Sequence, residues 1–309
     1  MLQATLKPKE ERRLLRGHLW AFRNEFAELP HTADGDVMDV YAANGRFVGR
    51  GFYQASGGIA VRLLSKKKEN IDAAFFAHRL QRALRYRSAL FPGETVYRLV
   101  YGESDELPGL VIDRYGATAV LQSACAFYGL HCDAIVDALM AIDGITGVLT
   151  DICGEKQHVG AAAPQAEVRI HDLAFSVNFA GGQKTGLFLD QRENWKLVER
   201  FAKGARVLDG HCYVGAWSCH AAKAGAASVL GVDTSESAIE QARANAERNG
   251  AGACTFEQAD IADILRRDER YDIVILDPPA LAKSRGHVSK ALGLYQALNR
   301  DAIKTVEPG

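Results

Sequence analysis

The chain has 309 residues, 48% of them hydrophobic and 24% charged, long enough for two or three globular domains. Its 37 basic and 38 acidic side chains leave a formal net charge of -1, which excludes a wholly basic nucleic-acid coat protein but not local basic faces. No apolar run approaches a membrane span, and the mixed, basic N-terminus has no signal-peptide core, so the expectation is a cytoplasmic protein with no membrane partner.

Residues 1–70 read as short strands between turns. Asp34-Gly35-Asp36 and Asn44-Gly45 are turn signals that bracket Val37–Tyr41; Phe47–Tyr53 and Ile59–Leu64 follow. Strands this short, in so short a stretch, predict a small β-barrel rather than a sandwich. A helix is expected from about Ile71 to Leu90, because Ala74, Phe75, Leu80, Ala83 and Leu84 recur near helical spacing and Phe91-Pro92-Gly93 ends it. Strand-like runs at 96–101, 110–113 and 118–122, a helix at 130–140 and a strand at 147–150 give residues 71–185 an α+β character. Arg169-Ile170 and Phe175–Phe179 read as a hairpin around His171-Asp172, within this middle part. From about Asp190 helices and strands alternate, so residues 186–309 predict an α/β domain with a parallel, doubly wound, Rossmann-like sheet.

Three apolar runs of that last part end in an acid: Val207-Leu208-Asp209, Val229-Leu230-Gly231-Val232-Asp233 and Val274-Ile275-Leu276-Asp277. Acids at one edge of a parallel sheet are how an open α/β domain presents a nucleotide-like ligand. Gly215 lies in the turn after the first run, where glycine permits close backbone approach ahead of a helix N-terminus. The dinucleotide fingerprint GxGxxG is absent, and a ligand without a pyrophosphate does not require it. S-adenosylmethionine is such a ligand, and the chain has the look of a methyltransferase. Asp233 would accept hydrogen bonds from ribose hydroxyls. Asp260, after the strand Cys254–Glu257, would accept one from the adenine amino group. Each aspartate taken singly is more simply a helix N-cap; three in register favour the ligand. Asp277-Pro278-Pro279 adds a rigid loop with exposed carbonyls, suited to holding a planar base.

Lys184-Thr185-Gly186-Leu187-Phe188-Leu189-Asp190-Gln191-Arg192, the run 207–215 and Leu276-Asp277-Pro278-Pro279-Ala280-Leu281-Ala282-Lys283-Ser284 together resemble one family across essentially the whole chain. It is the S-adenosylmethionine-dependent 23S ribosomal RNA methyltransferases that make 5-methylcytosine. The resemblance implies an N-terminal PUA domain, which Gly17-His18-Leu19-Trp20-Ala21-Phe22 would enter, a central α+β domain and a Rossmann-like class I methyltransferase domain. It implies a cofactor pocket formed by Lys184, Gln191, Arg192, Asp209, Cys212, Gly215, Asp233, Asp260 and Asp277. The partner it implies is 23S ribosomal RNA, naked or in an early assembly intermediate; the oligomeric state stays open, a homodimer included. The chain departs from the family pattern at Gly210-His211, where a bulky pair is usual, at Val214, where threonine is usual, and at Ala216-Trp217, where Gly-Phe is usual. These departures bear on the fine shape of the methionine pocket.

Methylation of cytosine carbon-5 needs a cysteine thiolate at carbon-6 and a base to remove the carbon-5 proton. The six cysteines, at 125, 132, 153, 212, 219 and 254, form no CxxC pair and suggest neither a zinc site nor a disulfide framework. Cys212 is the best placed, although packing is its simpler role. The resemblance implies a nucleophile in a Cys-Ser motif past a Pro-Gly-Gly turn. Pro308-Gly309 would begin that turn, so the expectation is a methyltransferase domain incomplete at its C-terminus, with the catalytic cysteine absent and Asp277 a base candidate by position only. An apolar edge at Ile273–Leu276 would follow.

Arg79, Arg82 and Arg85 recur at i, i+3 and i+6 on the predicted helix after Lys66-Lys67-Lys68, and Arg12, Arg13 and Arg16 lie near the N-terminus. They would grip RNA phosphates, or form an ordinary solvated face. Trp20, Phe22, Phe52 and Tyr53 would stack on bases or fill the barrel core. His18 reads as a turn or packing residue, His211 as a weak base candidate, and Arg285-Gly286-His287 as part of a substrate loop. Two competing functions stand beside the leading one. Methylation of an exocyclic base amine is disfavoured by Ala280, which leaves no stacking ring after the prolines; a non-catalytic RNA-binding fragment would need only the first two domains.

Overall fold

The computed structural model describes residues 1–179, 186–282, 286 and 288–308. The chain divides into two compact units: Met1–Pro164 with Phe179–Leu189, and Gln165–Asn178 with Asp190–Gly309.

The first unit opens with a six-stranded mixed sheet. Its elements are β1 (Leu2–Leu6), α1 (Glu11–Leu15), β2 (Trp20–Phe22), β3 (Phe26–Glu28), β4 (Val37–Tyr41), β5 (Phe47–Tyr53) and β6 (Ile59–Ser65). The strand order is β2-β6-β5-β4-β1-β3; β1 and β4 run parallel and the other neighbours antiparallel. Leu6, Met38, Val40, Val61 and Leu63 turn into its core. Gly51 permits the close crossing of β5 and β6, since a Cβ there would lie 2.1 Å from the Arg62 carbonyl oxygen.

Next come α2 (Ala73–Leu90), β7 (Val96–Tyr101), β8 (Leu110–Tyr115), β9 (Thr118–Ser123), α3 (Ala126–Leu130), α4 (Cys132–Met140), β10 (Gly147–Ile152) and β11 (Glu155–Gly160). The Asp72 carboxylate caps α2 by accepting the Phe75 N–H at 3.1 Å. The helix expected at 130–140 is broken at His131, whose backbone (φ -118°, ψ 15°) leaves the helical region. The five strands order β11-β10-β9-β8-β7, parallel only between β9 and β10. Phe52 of β5 stacks on Phe127 of α3 at 4.3 Å, so the first sheet and the α+β part share one core.

The second unit contains β12 (Gln165–Ile170), β13 (Leu173–Asn178), α5 (Arg192–Val198), β14 (Arg206–Gly210), α6 (Ala216–Lys223), β15 (Ser228–Asp233), α7 (Glu236–Arg248), β16 (Cys254–Gln258), α8 (Ile261–Ile264), β17 (Ile273–Leu276) and α9 (Val288–Thr305). β12 and β13 form the expected hairpin, turning at His171 (φ 50°) and Asp172 (φ 70°). It packs with the second unit rather than the middle part of the chain. The reason is its backbone pairing with α7: Asn249 exchanges two hydrogen bonds with Ala174, at 2.8 and 2.7 Å, and Asn245 accepts the Ser176 N–H at 3.1 Å.

The four strands β16-β15-β14-β17 are all parallel. Alternation along them divides the core. Val207 and Val229 face Val198, Ala202 and Ala221, while Leu208 and Val232 face Ile261, Ile264 and Ala302. Helices therefore cover both faces, as a parallel sheet requires. β17 takes the outer position with all four of its residues half-buried. Past α9, Val306 forms a single parallel bridge to Tyr271. Among the described residues no helix is long and apolar enough to cross a membrane.

Candidate active site

β14 lies between β15, which leads outward to β16, and β17, which lies on its other flank. The strand order reverses there, and a crevice at such a point is where open parallel sheets bind ligands. Asp209, Asp233 and Asp277 all fall at this carboxyl edge.

Asp209 is fully buried. Its Oδ2 accepts the Ser218 hydroxyl at 2.6 Å, and its Oδ1, also buried, has no partner. Burial pushes its carboxyl up to about 7; the Ser218 hydrogen bonds oppose that, and nearby Asp277 and Asp233 add to it. An acid that would be ionised in water thus retains a proton near neutrality.

The loop from β14 to α6 has three residues in the left-handed region: His211 (φ 63°), Tyr213 (φ 51°) and Gly215 (φ 78°). The two non-glycine positions each cost on the order of 1–2 kcal/mol. Surrounding bonds hold them. Cys212 N–H donates to the Val232 carbonyl at 2.9 Å, Tyr213 N–H to Asp233 Oδ2 at 3.0 Å, and Asn245 Nδ2 to the Val214 carbonyl at 3.0 Å. A strained loop fixed from three directions is built in advance of its ligand. At Gly215 a Cβ would lie 3.1 Å from both Ala242 and Phe256.

The capping alternative for the aspartates separates them. Ser235, not Asp233, caps α7, and Gly215 precedes α6. Asp233 accepts the Tyr213 and Ser235 N–H groups, one on each oxygen, which leaves a lone pair on each for a further donor. Asp260 does cap the short α8, through Oδ1 to the Ala262 N–H at 2.9 Å, and is exposed. Asp277 is exposed and accepts the Trp217 indole N–H at 3.4 Å. The following loop is braced by Tyr295 of α9, whose hydroxyl donates to the Pro279 carbonyl and accepts the Leu281 N–H. Burial lowers the His211 pKa against the pull of Asp233, Asp260 and Asp277, so its imidazole is neutral near pH 7.

The remaining expected pocket residues are placed as follows. Gln191 precedes α5 and accepts the Asn194 side-chain amide at 2.8 Å. Arg192 is 3% exposed, in the first turn of α5, with Nε on Glu193 at 3.1 Å. Lys184 lies outside the described residues, as do Arg285 and His287. Ser218, Asn245 and Tyr295 did not emerge from the sequence, and Trp217 emerged only as a departure from the family pattern. Only Asn245 carried a local signal, as an amide on the apolar face of a helix.

None of the six thiols is poised as a thiolate. Burial pushes each upward, Cys254 to about 12 and Cys212 and Cys219 further still. Cys212 is buried against the loop, its expected packing role.

In the first unit, the residues expected to meet RNA divide. Lys66, Lys67, Arg82 and Arg85 are exposed, although Arg82 pairs with Glu106 at 2.9 Å. Arg79 reaches the same Glu106 as Arg82, but it is buried and donates to the Leu64 carbonyl at 2.8 Å, so it is not exposed to a phosphate as they are. Trp20 is not a free stacking platform, because its indole N–H is held by Glu103 at 2.6 Å and the Arg62 guanidinium covers its ring. Phe52 and Tyr53 are buried core.

Two family models match the chain: a PUA-like domain over residues 4–66 and a methyltransferase domain over residues 201–304. Ribosomal RNA large subunit methyltransferase I of Shewanella denitrificans is 35% identical over all of this chain and 83% of its own length. The protein of the same name from Aeromonas hydrophila is 33% identical, over 97% of this chain and 81% of its own. Among solved structures, a candidate methyltransferase complexed with S-adenosylhomocysteine superposes with a TM-score of 0.88 at 25% identity, over 100% of this chain and 84% of that one. A candidate S-adenosylmethionine-dependent methyltransferase from Streptococcus mutans gives 0.86 at 24% identity, over 99% and 83%, a likeness of fold.

Proposed function

The chain belongs to the ribosomal RNA large subunit methyltransferase I family, and on that premise we propose that it methylates carbon-5 of a cytidine in large-subunit ribosomal RNA. The enzyme is an S-adenosylmethionine-dependent methyltransferase. The observation that carries the reading is the strand reversal at β14 with three aspartates at its carboxyl edge. The cradle fits the cofactor in two respects: the buried Oδ1 of Asp209 has no partner within the chain, and the glycine at 215 keeps a Cβ out of the loop.

The bound cofactor supplies a sulfonium methyl group, an electrophile. Asp233 holds the ribose hydroxyls with its free lone pairs, Asp260 the adenine amino group with the oxygen not used in capping, and residues 212–215 the methionine portion. Family resemblance assigns Gln191 and Arg192 to the same pocket. The loop 277–279, braced by Tyr295, supports the target base. Carbon-5 would become nucleophilic when a thiolate adds to carbon-6; it would then take the methyl group of the cofactor, which leaves as S-adenosylhomocysteine, after which Asp277 would take the carbon-5 proton and the thiolate would be eliminated. With every thiol in residues 1–309 pushed upward, none of the six is assigned as that nucleophile. Lys66, Lys67, Arg82 and Arg85 contact RNA phosphates.

RNA carrying 5-fluorocytidine tests the chemistry, because fluorine cannot be removed as a proton and the covalent adduct persists. The protein is expected to form an adduct stable to denaturation. Methyl transfer to the RNA with no adduct would contradict the carbon-5 route.

A further inference from the structure

We propose that the cleft between β6 and α2 binds one unstacked nucleotide of the RNA strand, and this rests on the ribosomal RNA reading above. The cleft encloses about 590 Å³, inside the rough 300–1,000 Å³ range of small-ligand sites. Leu63 and Leu64 of β6 and Phe75 and Arg79 of α2 are among its lining residues.

Arg79 is the built element. Its side chain is 9% exposed, its guanidinium lies 5.0 Å from the Phe75 ring centroid, and its two terminal nitrogens go to the Leu64 carbonyl and to Glu106. Its Nε is buried with no partner. A buried donor left unmade costs about 1–3 kcal/mol, and this one belongs to a residue of the cleft lining.

The rest of the lining decides the ligand class. Lys66, Lys67 and His78 are exposed at the cleft and suit an anionic phosphate. A site for phosphate alone would not also present Glu69 and Asp72, which would repel it. A ribonucleotide meets both demands: its phosphate takes the lysines, while ribose hydroxyls and base amino groups donate to the carboxylates and Asn70. Sequence-reading RNA sites take bases that are already splayed from a single strand.

The test is binding of a fluorescent single-stranded RNA oligonucleotide by fluorescence anisotropy, with thermal melting as the folding control. Ala74→Trp fills the cleft from an exposed position in the first turn of α2. It is expected to weaken RNA binding about tenfold, or about 1.4 kcal/mol. Lys67→Ala is expected to reduce the slope of log affinity against log salt by about 1. Wild-type affinity and slope in both folded variants would overturn the site. A free nucleoside monophosphate that binds as tightly as the oligonucleotide would overturn its assignment to RNA. If both variants lose affinity but the wild type methylates no ribosomal RNA, the cleft stands and the functional reading falls.

Discussion

Asp209 ionises at a cost to the fold. Its carboxyl, raised to about 7 in the folded state, favours the protonated form, so folding gains stability that is full below the unfolded value near 4. That gain is lost as pH rises through about 7. Asp209→Asn keeps an acceptor for Ser218 and removes the titration. The difference in melting temperature between variant and wild type is expected to widen in the variant's favour from about pH 4 to pH 8; parallel profiles would contradict the burial argument. Gly215→Ala adds a Cβ 3.1 Å from Ala242 and Phe256 at a positive φ. It is expected to cost about 1–2 kcal/mol of stability in denaturant titration and to weaken cofactor binding in calorimetry. The aspartates were legible because each closes an apolar run. Their contacts with Ser218 and Trp217 were not, since those meetings are made by the fold. The misplacement of Arg79 has a geometric cause: at about 100° per residue, i and i+6 stand roughly 120° apart, so a row that ends in solvent at Arg85 begins in the core.

Among the elements, α7 ties three pieces together. Asn245 is fully buried and joins Val214 in the cofactor loop to Ser176 in β13, and Asn249 completes the hairpin edge. Asn245→Ala leaves a carbonyl and an N–H without partners. It is expected to destabilise the protein by about 1–3 kcal/mol for each buried group left unsatisfied and to loosen cofactor binding, measured by melting with and without S-adenosylhomocysteine. An unchanged melting shift on ligand addition would show that the loop does not depend on α7. The hairpin itself was legible from its turn residues, but its allegiance was not, because the asparagines that decide it lie about seventy residues further on. β1 also escaped notice: Leu2–Leu6 has no flanking turn pair, and its partner β4 is distant in sequence.

At the scale of the whole molecule, the alternation of helix and strand after Asp190 was enough to predict the parallel sheet, since both faces of each strand are apolar. The joining of the first sheet and the α+β part was hidden, because one aromatic stack, Phe52 on Phe127, unites segments that read as separate. The central claim concerns what the second unit does to RNA. Its most direct test is methyl transfer from labelled S-adenosylmethionine to unmodified large-subunit ribosomal RNA by the protein, with the labelled nucleoside identified by mass spectrometry. The account predicts label in 5-methylcytidine, with Cys212→Ser giving the same product. Label in any other nucleoside, or none in an enzyme that binds the cofactor, would contradict it.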